Sequence, residues 1–315
     1  MDIYVHTLSS MLVLTCIILL VAYLRRSGMF SPDHGTLFAS LITQLTLPAL
    51  IFYALSHAAL EWKYLLVTGL MMAGEMLLFM LAWGVSSVMG LSAPKTGSFI
   101  LAAVFGSSTL LGYALVAELF GKNAEAMAEA SLVSELGVGL PLFTLGAMIA
   151  MHYGGKKASG SGGAGALAFF RSPIFIAIAA GSAWSVAGLP VTGMAVLPLF
   201  DAVQIVAKAN TLLVTLLVGV SLGFDRLREI AGIAAAVLVL KLVASPLLIA
   251  LPAHYVALEA WQLQVLVIES AMPSAMLSVA FAKRYGCDVA LASKLVFATL
   301  LGSMVTVTVM MRLLG

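Results

Sequence analysis

Polar side chains along this chain fall into short clusters such as Arg25-Arg26, Lys156-Lys157 and Lys283-Arg284, and long apolar stretches run between them. The apolar stretches cover about 4–24, 35–56, 64–89, 97–120, 127–152, 173–189, 195–224, 230–253, 261–282 and 288–312. A helix of about 20 apolar residues crosses the hydrocarbon of a bilayer. The pattern therefore predicts an all-α membrane protein of ten transmembrane helices.

Two of the stretches are interrupted. In the ninth, Pro273 stands among small residues, with a carboxylate, Glu269, just before it. Proline leaves a carbonyl about one turn earlier without its helical donor, which hydrocarbon tolerates only where the group lines a protein-walled cavity. Shifting the chain by 165 positions lays this stretch on Phe105-Gly-Ser-Ser-Thr-Leu-Leu-Gly112 in the fourth. The same shift brings Gly121 onto Gly286, Ser134 onto Thr299, Gly137 onto Gly302, Thr46-Leu47 onto Thr211-Leu212 and Ser56 onto Ser221. One offset serving two distant regions predicts an internal repeat of five helices with corresponding broken helices, the sequence pointer to a secondary-transporter binding site. The repeats are expected over 1–152 and 173–315. Between them lies a linker at 153–172 that holds the Gly/Ser run Gly154 to Gly165.

Composition agrees with the membrane reading, since 62% of the 315 residues are hydrophobic and 10% charged, against about 45–50% and 25% in soluble domains. A net charge of +2 is too small to suggest nucleic acid as a partner. The placement of the charges says more. Arg25, Arg26, Lys95, Lys156, Lys157, Arg171, Arg226, Arg228, Lys283 and Arg284 fall on one side of the ten-span arrangement, and only Lys63, Lys122 and Arg312 on the other. Cytoplasmic loops collect Lys and Arg, so both termini are expected outside and the linker inside. Five spans per repeat is odd, which makes the repeat inverted. Asp2 replaces a basic leader and no cleavage pattern precedes Arg25, so the first stretch reads as a membrane helix and not a signal peptide. Cys16 and Cys287 are expected at different depths and unpaired.

Several polar groups fall inside the spans, where a charge costs at least about 2.5–3.5 kcal/mol and usually faces an interior or a water-filled path. Glu269 beside its break reads either as a Na⁺ or proton site, with Ser270 and Ser131 as further oxygens, or as a carboxyl paired with Lys241 or Lys294. Glu135, next to Ser134 and one turn after Ser131, reads as a second cation-coupling carboxyl or as a helix-packing group. Ser107, Ser108 and Thr109 at the first break, with Met272, Pro273 and Ser274 at the second, are candidates for substrate binding, or small residues that let helices approach. Lys241 lies 166 positions from Glu75 and is expected to pair with it or to face a substrate anion. Lys294 is expected to snorkel, and Asp201 with Lys208 to form a structural stripe. The five histidines lack metal-ligand spacing, and no phosphate loop, zinc-helix pair or nucleophile elbow appears. Neither an enzyme nor a cofactor is expected.

Across nearly its whole length the chain resembles the auxin efflux carrier family, with its bacterial malate and malonate permease-like members, within the bile acid/sodium symporter superfamily. The resemblance rests on Leu47-Pro48-Ala-Leu, Phe105-Gly-x-x-x-x-Leu-Gly112, Gly219-Val-Ser-Leu222, Lys241-Leu-x-x-x-Pro246, Ala271-Met-Pro-Ser274 and Ala282-x-Arg284-Tyr-Gly, in that order. It departs from many carriers at Ser107 and Ala114, where they have Asn and Pro. Glu269 with Met272 is similar to the cation-binding stretch of the sodium symporters. The resemblance implies a scaffold of helices 1, 2, 6 and 7 and a mobile core of helices 3–5 and 8–10, in which broken helices 4 and 9 cross. It also implies elevator-like transport of an organic anion at the crossover and a homodimer through the scaffold. The expected function is secondary transport of a small organic anion across the cell (inner) membrane, coupled to Na⁺ or H⁺. A sodium-coupled bile-acid-like symporter and a membrane sensor or intramembrane enzyme stand as alternatives.

Overall fold

The computed structural model describes residues 2–57, 62–120, 123–155, 171–194, 196–225, 228–253, 255–256 and 258–314. The expected linker falls largely outside the described residues, as do Gly121, Lys122, Arg226 and Gly315. Among the described residues every regular element is helical. In the first half these are α1 (Asp2–Arg26), α2 (Pro32–Leu41), α3 (Leu47–His57), α4 (Trp62–Val88), α5 (Ala93–Val104), α6 (Tyr113–Phe120), α7 (Ala124–Leu132) and α8 (Ala147–Tyr153). The second half has α9 (Pro173–Val186), α10 (Leu197–Ser221), α11 (Ala231–Val239), α12 (Ser245–Ala253), α13 (Ala260–Ser270), α14 (Leu277–Tyr285) and α15 (Val289–Leu314).

Among the described residues, six helical stretches are long and apolar enough to cross a membrane: Asp33–His57, Tyr64–Val88, Glu125–Tyr153, Leu197–Ser221, Ala231–Ala253 and Val289–Met310. They correspond to the second, third, fifth, seventh, eighth and tenth predicted spans. The fourth and ninth are each divided, into α5 and α6 and into α13 and α14, so neither is a single long helix. The sixth, expected over 173–189, is a helix of 14 residues.

The helix starts follow from local chemistry. Ser31, Ser92 and Ser172 stand as extended N-cap residues with proline in the next two positions, and the Ser172 hydroxyl accepts from the Phe175 amide at 3.2 Å. Serine supplies an acceptor for an orphan amide, and proline needs no donor there. At the other end of a helix, α14 stops at Gly286, whose φ of 92° lies where a side chain would be strained.

Several membrane stretches stay continuous only by passing through wide π-helical turns. These are Ile42–Thr46 between α2 and α3, Val133–Gly139 and Leu142–Gly146 between α7 and α8, and Leu240–Ala244 between α11 and α12. A fifth, Ser108–Gly112, leads into α6. Such turns are rare and gather at functional sites.

Packing divides between helix sets. α9 lies chiefly on α3, and α10 packs on α1, α2 and α3. α4 packs on α5, α12 and the Val133–Gly139 turn, while α15 packs on α5, α14 and α11 as well as on α1. Both cysteines are free, Cys16 exposed and Cys287 buried. Burial and the neighbouring Asp288 push the Cys287 thiol up to about 12, which makes it inert toward thiol reagents.

Candidate functional site

The two interruptions meet each other. α5 ends at Val104 and the chain turns extended at Phe105, while α13 ends at Ser270 and its continuation is irregular until α14. The extended pieces pair antiparallel, Gly106 opposite Ser274. The Ser107 amide donates to the Pro273 carbonyl at 2.8 Å, and the Ala275 amide to the Phe105 carbonyl at 2.8 Å.

Backbone carbonyls freed at a break must find donors inside the protein. At the end of α5, Ser278 donates to the Leu101 carbonyl at 3.0 Å and Ser274 to that of Ala102. Lys241 serves both breaks. Its ammonium donates to the Val104 and Ser270 carbonyls, 3.3 Å each, the last residues of α5 and α13. Ser245 adds a bond to the Ser270 carbonyl at 3.0 Å. Two helix C-termini thus share one cation, the charge sign their dipoles favour. Lys241 is 2% exposed, and Glu75, 4% exposed, interacts with its charge. A Cβ on Gly106 would stand 3.1 Å from the Lys241 nitrogen, so any larger residue there would push the ammonium back by a few tenths of an ångström.

On the opposite side the second halves of both broken helices begin. The leading amides of Ser108 and Thr109, and of Met276 and Leu277, open helices whose first N–H groups have no intrahelical acceptor. A cavity of about 180 Å³ lies against them, lined by Ser107, Ser108, Thr109, Glu135, Ala275, Met276 and Leu277. Asn210, Thr211 and Val214 of α10 and Leu50 of α3 close its far wall. Asn210 is fixed by the Thr46 hydroxyl, which donates to its side-chain oxygen at 2.9 Å and leaves the amide nitrogen free to donate.

Beside this cavity two carboxyls come together. Glu269 is fully buried; one oxygen accepts from Ser134 at 2.9 Å and the other has no hydrogen-bond partner. Glu135 is close enough to interact with its charge, and Thr109 lies beside Glu135. Gly112 presses on the Glu269 carboxyl so closely that even a methyl group would collide with it. Two carboxyls, one with an unsatisfied oxygen, and two hydroxyls form an oxygen-rich pocket of the kind that takes an alkali ion or a proton.

The candidates from the sequence therefore separate. Ser107, Ser108, Thr109 and Glu135 line the cavity; Met272, Pro273 and Ser274 belong to the extended piece that pairs with Gly106; Lys241 bonds the carbonyls that end α5 and α13. Glu269 bonds Ser134, whereas Lys241 bonds backbone carbonyls and Lys294 the Asp225 carbonyl at 2.7 Å. The Ser270 hydroxyl turns back to the Val267 carbonyl at 2.9 Å, and half-buried Ser131 is one turn away from Glu135 in α7. Asn210, Ser134 and Gly112 are additional. Asn210 carried one signal, an amide inside the seventh span beside the repeat-matched Thr211.

Two comparisons bear on what this arrangement is. A family model described as membrane transport protein matches residues 6–167 and 165–311. A relative from Methanothermobacter thermautotrophicus, named an uncharacterized transporter, is 28% identical over 303 residues, 96% of this chain and 95% of the relative.

Proposed function

This chain belongs to the membrane transport protein family, the auxin efflux carrier family, and from that premise we propose that it is a secondary active transporter of a small organic anion. The observation that carries the substrate class is the cavity of about 180 Å³ set against two helix N-termini, where orphan amides and dipoles favour a carboxylate. The size supports a small acid over a steroid, since drug-sized ligands take about 300–1,000 Å³. Asn210 adds a donor from α10, so the anion bridges the breaks and the helix across from them.

In the proposed cycle the helices holding the two breaks move as a unit past α1–α3, α9 and α10, carrying the site in an elevator-like manner. Broken helices 4 and 9 cross within two inverted five-helix repeats, in the cell (inner) membrane with both termini outside. Na⁺ between Glu269 and Glu135 couples to the substrate through Thr109, which lies beside Glu135 and lines the cavity with it. A cation there relieves the cost of two buried carboxylates side by side.

A screen of organic acids by thermal stability, with and without Na⁺ and at two pH values, followed by uptake into proteoliposomes, tests this reading. Ligands selective for the folded form raise its melting temperature by mass action. Ser108→Leu is expected to lower uptake at least tenfold while the protein remains monodisperse, because a branched side chain fills space against the leading amides of the second half-helix. Undiminished uptake would move the substrate site elsewhere.

Orientation has its own test. A cysteine at position 160 is expected to react with an impermeant reagent only from the cytoplasmic side, and one at position 315 only from outside, as the cation asymmetry requires. Cys287 is buried, and Cys16, which is exposed in α1, is replaced by serine so that neither obscures the result. Labelling of both from one side would contradict the inverted repeat.

A further inference from the structure

Behind the break, on the side away from the small cavity, the protein holds a larger space. A crevice of about 570 Å³ opens between α4 and the run from Pro141 to Tyr153, with Glu75 and Phe105 at its walls. Met72, Met76, Met80, Trp83 and Met148 line it and remain 41–54% exposed, so in a membrane-spanning protein it opens onto lipid. Thioether side chains are flexible and polarizable and adapt to varied apolar shapes. The volume is that of a site for a drug-sized molecule.

One feature is at odds with an ordinary lipid contact. Glu75 stands at the middle of α4, 4% exposed, and its Oε2 has no hydrogen-bond partner. Leaving a buried carboxyl oxygen unsatisfied is costly. Lys241 balances its charge, but the Lys241 ammonium donates to Val104, Ser270 and Ser245. What the crevice lacks at its deep end is therefore a donor without a net charge. A carboxylate there would oppose Glu75, and an ammonium would oppose Lys241. A phospholipid head group is held at the membrane surface and does not reach this depth.

We propose that the crevice is a membrane-accessible binding site for a neutral amphiphile with a hydroxyl at one end, bound hydroxyl inward, its O–H donating to Glu75 Oε2, which lies buried at the wall and turns toward the crevice to accept it. The apolar chain lies along the methionines toward Trp83, eight residues further along α4 and about 12 Å away. This orientation is the reverse of the one the same molecule takes when dissolved in a bilayer, where its hydroxyl stays at the surface and its tail reaches the centre.

The reversal makes the test specific. Protein in phospholipid nanodiscs is titrated with ω-bromododecanol, and with the bromododecyl amine, acid and alkane, while tryptophan fluorescence is followed. Bromine quenches indole on contact, and the Trp83→Phe variant identifies the Trp83 component. The alcohol is expected to quench more than half of that component saturably, and the other three only in proportion to their concentration in the bilayer. Met148→Phe, which narrows the crevice, and Glu75→Met are each expected to remove the saturable part. Equal quenching by alcohol and alkane would overturn the proposal, and so would saturable quenching that survives in Glu75→Met. Should Glu75→Met fail to fold, the comparison of alcohol with alkane in the unaltered protein decides on its own.

Discussion

Glu269→Gln is expected to remove the Na⁺ dependence of uptake and the stabilisation of the folded protein by Na⁺ in the same variant. The expectation starts from a fully buried carboxyl with one oxygen on Ser134 and the other without a partner, facing a second carboxyl at Glu135. An ion bound only by the folded form at a hundred times its Kd adds about 2.7 kcal/mol of stability. The amide keeps the shape of the side chain and its acceptor for Ser134 but withdraws the charge that holds the ion. The wild-type protein should therefore melt higher in NaCl than in choline chloride, and the variant should melt alike in both. Loss of pH dependence with no Na⁺ effect in either protein would assign the site to a proton. Unchanged responses to both would place the coupling ion away from Glu269.

Lys241→Met is expected to cost stability more than any other single change at the two breaks. It would strip donors from the terminal carbonyls of α5 and α13 together and leave Glu75 buried with no opposite charge. Removing one member of a buried charge pair costs about 3–5 kcal/mol. Adding Glu75→Gln should restore part of this, because the amide no longer needs a counter-charge, while the Val104 carbonyl stays short of a donor and that of Ser270 keeps Ser245. Denaturation of the purified variants measures both effects. A Lys241→Met protein as stable as wild type but inactive would mean that the ammonium meets substrate and does not brace the breaks.

The two carboxyl and lysine sites differ in how far the chain itself announces them. Pro273 and the glycines around Ser107 to Thr109 mark breaks because they withhold a donor or a side chain, and the 165-residue offset ties one break to the other. Which groups satisfy the breaks is less visible. Backbone carbonyls carry no residue type, so nothing in the spacing pointed Lys241 at Val104 and Ser270; its near-symmetric position raised Glu75 as a partner, and the bonds it makes are to those carbonyls and Ser245. Ser270 was the natural partner for Glu269 by proximity in sequence, but a helical serine can satisfy itself on the carbonyl one turn back, as this one does at Val267. The role then falls to Ser134, 135 residues away. Asn210 reaches the cavity from a helix with no break to draw attention to it. The wide turns were illegible because one extra residue per turn changes neither composition nor hydrophobicity.

Those wide turns also make side-chain direction depend on bookkeeping along the helix. Within Val133–Gly139 the chain holds more residues than an α-helix of equal length, and Glu135 sits inside the surplus. If the surplus slides by one position, a residue it passes swings by about 100° about the helix axis, the angle of one α-helical step, while both flanking helices stay wound. Glu135 and Thr46 both occupy such turns, one beside the carboxyl pocket and the other holding Asn210. One wall of the cavity, and the residue that fixes Asn210 on the other, are therefore mounted on stretches that can be re-aimed like the hands of a dial, by redistributing slack along a helix.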